Sequence, residues 1–180
     1  MKIIIKILFL MIIVSGFIGC YKQIPREAMA PVEVEVVELN APPPSPDESD
    51  ILITTHIKKA SYLLSPRTAE TPYTFTLSID GNEFIDKLKG VEEVESNVDA
   101  EKGEGVHYVL KKRIRLKPGI YEFALKSEDG PLAEIKKQVI GGKIYTLRFE
   151  PVYGPRKYLR PKHFREGVVG YEFFWDKDKY

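Results

Sequence analysis

The sequence has little cysteine, tryptophan and histidine: one Cys, one Trp and three His among 180 residues. A single thiol excludes an intramolecular disulfide, so the folded body must be stabilised by hydrophobic burial and strand pairing. His56, His107 and His163 stand far apart, and none has a second ligand at the short spacing that zinc motifs show. The spacing therefore predicts isolated histidines and no metal site.

An excess of charge of one sign is also missing, since 27 Lys and Arg residues face 26 Asp and Glu residues. Nucleic-acid binding relies on many cations that displace phosphate counterions, so no nucleic-acid partner is expected. The patterns of a nucleophile elbow (G-x-S-x-G), a glycine-rich phosphate loop and a metalloprotease (H-E-x-x-H) are absent from the sequence. Distant residues can still assemble a hydrolytic triad, but the sequence predicts no enzyme and no cofactor.

The first twenty residues combine a short basic start with an apolar run. Lys2 and Lys6 provide the charge, and residues 7–14 are apolar over a length too short to span a bilayer comfortably. This layout is typical of a secretory signal peptide. Residues 17–20, with the sequence FIGC, then resemble the lipobox of bacterial lipoproteins. The resemblance implies that residues 1–19 are removed and that Cys20 carries lipid, palmitate included.

Two alternatives to lipidation stay open. Ala28-Met29-Ala30 has the small-x-small form of an ordinary signal cleavage site, although Pro31 after the cut disfavours the extended binding mode of a peptidase. Residues 3–20 are almost continuously apolar, which also fits an uncleaved helical anchor. An intact Met1 or a mature start at residue 31, seen by mass spectrometry, would exclude the lipid anchor.

Residues 20–50 are predicted to form a Pro-rich tether. Six prolines lie within it, and the stretch 41–46 favours the extended polyproline II conformation of a semi-rigid spacer. Fully extended, the tether would reach on the order of 90 Å. Valine alternates with glutamate inside it, which predicts a strand within residues 32–39 that docks on the domain edge or pairs with a partner.

Residues 51–180 are predicted to form a single all-β domain, an antiparallel β-sandwich. Short runs in which apolar and polar residues alternate are separated by turn signals, as in sandwiches and barrels. Residues 73–79 alternate strictly, and Asp80-Gly81 predicts a hairpin turn. Only residues 91–100 are compatible with one or two helical turns.

Two segments of this domain resemble a known family. Residues 116–123 (LKPGIYEF) and 139–147 (VIGGKIYTL) look like the second half of PEGA-type and related immunoglobulin-like or transthyretin-like domains of bacterial envelope proteins, and residues 78–81 (SIDG) are similar to a corner of the first half. The resemblance implies a small β-sandwich and no catalytic residue.

Charged residues cluster in three places. Residues 86–104 are acidic, so they either bind Ca²⁺ or, as we expect, form a solvated, mobile excursion between strands. Basic residues occur on the polar face of the strand 107–116 and, mixed with aromatics, in the stretch 153–165. Arg and Lys beside Tyr can meet anionic groups, so these two places form a candidate binding surface unless they serve only as a solvated face and a loop over the core. The candidate residues are Lys111, Arg113, Arg115, Arg156, Lys157, Tyr158, Arg160, Lys162 and Arg165.

The sequence therefore predicts a lipid-anchored bacterial envelope protein that acts as a non-enzymatic binding or structural module. Its expected contacts are the membrane, through the lipid, and peptidoglycan, lipid headgroups or an envelope protein. Tyr21 follows the cysteine where enteric bacteria place Asp to retain lipoproteins in the inner membrane, so the expected location is the periplasmic face of the outer membrane. The alternative is an accessory subunit of a secretion, pilus or transport assembly.

Overall fold

A computed structural model describes residues 33–61, 66–96, 98–154 and 167–177. The chain divides into two units, Met1–Pro31 and Val32–Tyr180. The predictions for the signal peptide and for Cys20 lie outside the described residues.

The described residues form ten strands and one short 3-10 helix. Most strands alternate buried and exposed side chains, because successive residues of a strand point to opposite faces. The elements are β1 (Glu35–Val37), β2 (Ser49–Ala60), β3 (Tyr73–Ile79), β4 (Asn82–Leu88), β5 (Val91–Glu93), the 3-10 helix (Asp99–Glu101), β6 (Gly105–Leu116), β7 (Gly119–Ser127), β8 (Leu132–Val139), β9 (Lys143–Tyr153) and β10 (Val168–Lys177).

Two sheets contain these strands. The first has the order β1-β6-β2-β9-β10, and β5 also pairs with β6. All its pairs are antiparallel except β2 with β9, which is parallel. The second sheet is antiparallel, with the order β4-β3-β7-β8. The prediction of an all-β, sandwich-like fold is confirmed, although the parallel pair β2–β9 departs from the fully antiparallel arrangement that was expected. The likeness to immunoglobulin or transthyretin domains stays a prediction.

The predicted hairpin at residues 79–82 is present. Ile79 pairs with Asn82 across a two-residue turn, in which Asp80 has φ 47° and Gly81 has φ 86°. Positive φ at both central residues matches the right-handed twist of the flanking strands. Aspartate and glycine tolerate this backbone conformation better than most residues, which is why the sequence signalled the turn.

The core lies between the two sheets and contains aromatic side chains from both. The ring of Phe123 on β7 lies 6.0 Å from that of Trp175 on β10, and Tyr73 on β3 stacks on Tyr108 on β6 at 5.2 Å. Such pairs add to the stability that burial of their area provides. The residues with no exposed surface include Ile51, Ile53, Ile57, Tyr73, Phe75, Leu77, Ile79, Val106, Tyr108, Ile114, Phe123, Leu125, Leu147 and Phe149.

The described part of the Pro-rich tether packs against the body and is not a free spacer. β1 pairs with residues 113–115 of β6, inside the range where a strand was predicted. The amide of Gly142 donates a hydrogen bond of 2.6 Å to the carbonyl of Glu48. An added Cβ at Gly141 would lie 2.2 Å from the carbonyl oxygen of Pro46. The tether therefore joins the fold before β2 begins.

The acidic segment 86–104 is more ordered than the sequence indicated. Residues 91–93 form β5 on the edge of β6, where helical turns were compatible with the sequence, and helical geometry is limited to Asp99–Glu101. Glu101 is only 1% exposed, so the prediction of a solvated excursion is wrong at this residue. Asp86 forms an ion pair of 2.7 Å with Lys112, so part of the acidic charge is neutralised by β6.

Candidate functional site

Two polar clusters lie on the outer face of the first sheet, at different positions along β2. Ile51, Ile53 and Ile57 of β2 are in the core. Because side chains alternate along a strand, Asp50 and His56 point to the other face. Asp50 joins two arginines, and His56 joins a second histidine and a glutamate.

The Asp50 cluster consists of Asp50, Arg113 and Arg115. The register of β2 and β6 pairs Asp50 with Arg115 and Leu52 with Arg113, so both guanidinium groups reach the same carboxylate. The Nε atoms of Arg113 and Arg115 each donate a hydrogen bond of 2.8 Å to Asp50. The Asp50 side chain has no exposed surface. A buried carboxylate is stabilised only when its lone pairs are satisfied in this way.

Both arginines also bind the tether. Arg113 donates to the carbonyl oxygens of Leu39 at 3.0 Å and Ala41 at 2.7 Å, and Arg115 donates to that of Pro42 at 2.8 Å. These two members of the candidate binding surface therefore use their donors inside the molecule.

The other predicted binding residues are not part of this cluster. Lys111 is exposed on β6, the strand that also carries Arg113 and Arg115. The remaining predicted residues lie outside the described part of the chain: Cys20, Arg156, Lys157, Tyr158, Arg160, Lys162 and Arg165.

The His56 cluster consists of His56, Glu101 and His107. The register of β2 and β6 pairs Lys58 with His107, which places His107 diagonally opposite His56 on the same face. The two imidazole rings meet edge to face with centroids 5.4 Å apart, and the 3-10 helix contributes Glu101. One ligand atom from each of the three side chains lies within 4.8 Å of the others. Two of the three histidines are thus neighbours, which corrects the prediction of isolated histidines.

Neighbouring side chains hold Glu101 and His56 in place. Nε2 of His56 lies 3.4 Å from Oε1 of Glu101, which also accepts a hydrogen bond of 2.6 Å from the hydroxyl of Tyr153. The hydroxyl of Ser96 donates to the other carboxylate oxygen of Glu101 at 3.2 Å. On the far side of the imidazole, Nδ1 of His56 lies 3.7 Å from Oε2 of Glu150.

The contact between His56 and Glu101 shifts their pKa values in opposite directions. Hydrogen bonding to Glu101 raises the pKa of His56, and this outweighs the opposing effect of burial. Burial would by itself raise the pKa of Glu101, but the hydrogen bonds from His56 and Tyr153 and the nearby imidazole charge lower it. Glu101 is therefore a carboxylate at neutral pH, available to a cation.

His107 differs from the other two members of the cluster. Its Nε2 atom is buried and has no hydrogen-bond partner among the described residues. Buried polar atoms in folded proteins usually have a partner, so an unsatisfied ring nitrogen on a side chain of this cluster is a place where a ligand can bind. His56, Glu101 and His107 are the side chains here that could hold a metal ion.

Sequence reasoning missed this cluster because its members come from three separate elements. The alternation of β6 does place His107 on the polar face, but only the pairing of β2 with β6 brings His56 beside it. Glu101 was read as one of many solvated acidic residues, and no local pattern marks it as buried.

No helix among the described residues is long and apolar enough to cross a membrane. No protein-family model, no curated protein and no solved structure matches the chain. The resemblances to lipoproteins and to PEGA-type domains remain predictions from the sequence.

Proposed function

We propose that this protein is a lipid-anchored bacterial envelope protein whose β-sandwich is a non-enzymatic binding or structural module. The observation that carries the proposal is the N-terminal sequence: basic residues, an apolar run, and FIGC ending at the only cysteine of the chain. In this reading residues 1–19 are a signal peptide and Cys20 carries the lipid. Several buried acyl chains make such an anchor stable.

The docking of residues 35–48 on the domain supports the proposal that the anchored protein stays close to the membrane. Only twelve residues separate Cys20 from Glu33, the first described residue. A fully extended chain from Cys20 to Glu33 reaches at most about 45 Å, which is roughly half of the reach expected when all of residues 20–50 were taken as a spacer. This short reach supports a body that works near the membrane surface, and Tyr21 after the cysteine supports the periplasmic face of the outer membrane.

The basic stretch 153–165 is the part of the candidate binding surface that we assign to anionic envelope material, such as peptidoglycan or lipid headgroups, or to an acidic protein. Arg113 and Arg115 are engaged with Asp50 and the tether. The four arginines and lysines at positions 156, 157, 160 and 165 then carry the proposed contact.

Labelling with radioactive palmitate in the native host tests the anchor. The wild-type protein is expected to take up label and to fractionate with membranes, and Cys20→Ser is expected to lose the label. An unlabelled wild-type protein would refute the proposal.

Sedimentation with isolated cell wall and with anionic liposomes tests the surface. Charge reversal at Arg156, Lys157, Arg160 and Arg165 is expected to abolish salt-sensitive binding. The matched control reverses four exposed lysines elsewhere, Lys87, Lys89, Lys126 and Lys136, which leaves the net charge change the same. Equal losses from both variants would mean that net charge and not this stretch governs binding.

A second candidate function is an accessory subunit of a secretion, pilus or transport assembly. It is favoured by exposed apolar side chains on the edge strands of the two sheets. Ile85 on β4 is 63% exposed, and Val169 and Phe174 on β10 are 61% and 39% exposed. Apolar side chains on such strands invite pairing with another chain. A docked subunit should co-purify with its partner in a fixed ratio after mild detergent extraction, whereas a free-standing binder should be monomeric.

A further inference from the structure

We propose that His56, Glu101 and His107 bind one divalent transition-metal ion of the zinc class. Two imidazoles and one carboxylate form a donor set that zinc uses in proteins, with three protein ligands and one position left for water or another ligand. Imidazole nitrogen also suits copper and nickel, whereas calcium and magnesium prefer oxygen ligands alone. The donor set therefore selects the class of ion.

The spacing of the donor atoms fits such an ion. With metal–ligand bonds of about 2.1 Å, the corners of a tetrahedral site are about 3.4 Å apart. Nε2 of His56 and Oε1 of Glu101 are 3.4 Å apart, and a donor atom of His107 lies within 4.8 Å of both. The paired strands β2 and β6 carry both histidines, so the two imidazoles are held on one rigid element of the fold.

The surrounding residues orient the donors as they do around bound metals. Metal-binding histidines usually direct the second ring nitrogen to a carboxylate, and metal-binding carboxylates are themselves hydrogen-bonded. Glu150 faces Nδ1 of His56 on the side away from Glu101, and Tyr153 and Ser96 both donate to Glu101. These contacts leave Nε2 of His56 facing the cluster.

An ion pair between His56 and Glu101 is the simpler explanation, but it accounts for only two of the three side chains. It leaves the buried Nε2 atom of His107 without a partner among the described residues. We take Nε2 as the ligand atom of His107, so a metal ion bound by the three side chains would give that nitrogen a partner.

Nearby cations do not prevent binding, because each has its own anionic partner. Nζ of Lys58, whose side chain is fully buried, lies 3.2 Å from Glu93. Nε of Arg148 lies 2.7 Å from Glu150. A bound ion would link the 3-10 helix to β2 and β6 and thereby fix the acidic segment on the outer face of the sheet.

Calorimetric titration of the metal-depleted, detergent-solubilised full-length protein with Zn²⁺ tests the site. One equivalent is expected to bind, and Ca²⁺ is expected to give no heat. Titration with Co²⁺ should produce the visible absorption of a nitrogen- and oxygen-ligated ion. A thiolate charge-transfer band in the near ultraviolet would instead assign the binding to Cys20 and overturn the proposal.

His56→Gln and His107→Gln are the variants that remove single ligands, and Lys111→Gln is the control, because Lys111 is exposed on β6 and is not part of the cluster. The first two are expected to weaken Zn²⁺ binding by more than about a hundredfold, since even outer partners of ligands are worth 10- to 100-fold. Tyr153→Phe, which leaves all three ligands in place, is expected to weaken it by about tenfold. Circular dichroism of each variant confirms folding before titration.

A folded wild-type protein that binds no Zn²⁺ would overturn the site. Binding that survives both His56→Gln and His107→Gln, or that is lost in Lys111→Gln, would place the ion elsewhere. The test does not depend on the lipid anchor, so its failure and the failure of the proposed envelope function are distinguishable.

Discussion

The Asp50 and His56 clusters lie on the same face of the first sheet. Each cluster includes a contact with a segment outside the long strands β2 and β6. Residues 39–42 contact the arginines of the first, and Ser96 and Glu101 belong to the segment that completes the second. In the Asp50 cluster the carboxylate accepts from two guanidinium groups, which also donate to backbone carbonyls. In the His56 cluster one ring nitrogen has no partner among the described residues. A polar cluster that satisfies its own hydrogen bonds has a structural role, whereas one with an unsatisfied donor or acceptor offers that group to a ligand.

The largest expected effect comes from Asp50→Ala. The change leaves two arginines facing each other without the carboxylate, and breaking a buried ion pair by removing one partner costs about 3–5 kcal/mol. Urea unfolding is expected to show this loss of free energy. Lys111→Ala, at an exposed position on β6, the strand that carries both arginines, should change the stability by no more than about 0.5 kcal/mol. Equal effects of the two variants would refute the structural role of the cluster.

Gly141→Ala tests whether the tether is part of the fold. Its Cβ would lie 2.2 Å from the carbonyl oxygen of Pro46, so the tether must shift, at a cost of about 1–3 kcal/mol. Gly170→Ala is the matched control, because a Cβ at that position meets nothing within 4 Å. Thermal unfolding of both variants is the measurement. A neutral Gly141→Ala together with protease cleavage in residues 38–48 of the wild type would show that the tether is free.

Glu101→Gln tests the other cluster in the absence of metal. Glutamine keeps an acceptor for Tyr153 but loses the charge that pairs with His56, so we expect a loss of about 1 kcal/mol, well below that of Asp50→Ala. Urea unfolding in the presence of a chelator gives the value. A loss as large as that of Asp50→Ala would mean that both clusters are structural and that the comparison fails.

Asp129 provides a third, more exposed cluster, with a smaller expected effect. Burial would raise the pKa of Asp129, but hydrogen bonds from Lys59 and Tyr73 outweigh it and lower the pKa. The resulting stability is fully present at pH values above 3.8, the ordinary pKa of the Asp side chain. It is lost as the pH falls through the lower pKa that Asp129 has in the folded protein. Asp129→Asn should therefore flatten the acid end of a curve of stability against pH. Because the Asp129 side chain is 51% exposed, screening keeps this contribution small.

Much of the fold could be predicted from the sequence, because strand alternation and turn chemistry are local. Residues 73–79 form β3 as their alternation indicates, and Asp80-Gly81 forms the turn that their tolerance of positive φ favours. β5 was missed because three residues on a sheet edge carry too little pattern. The parallel pairing of β2 with β9 could not be predicted either, since it joins residues about 94 positions apart, as Ser49 with Lys143.

The sequence by itself determined the strand content, the hairpin turn and the alternation that separates core from surface, because each depends on neighbours within a few residues. Only the tertiary structure decided which polar residues meet. Strand pairing across long separations brought Arg113 and Arg115 to Asp50 and His107 to His56, and the fold of the acidic segment buried Glu101 beside them. The partner of a charged residue that lies far away in the chain is decided by the register of the paired strands, which no local pattern in the sequence specifies.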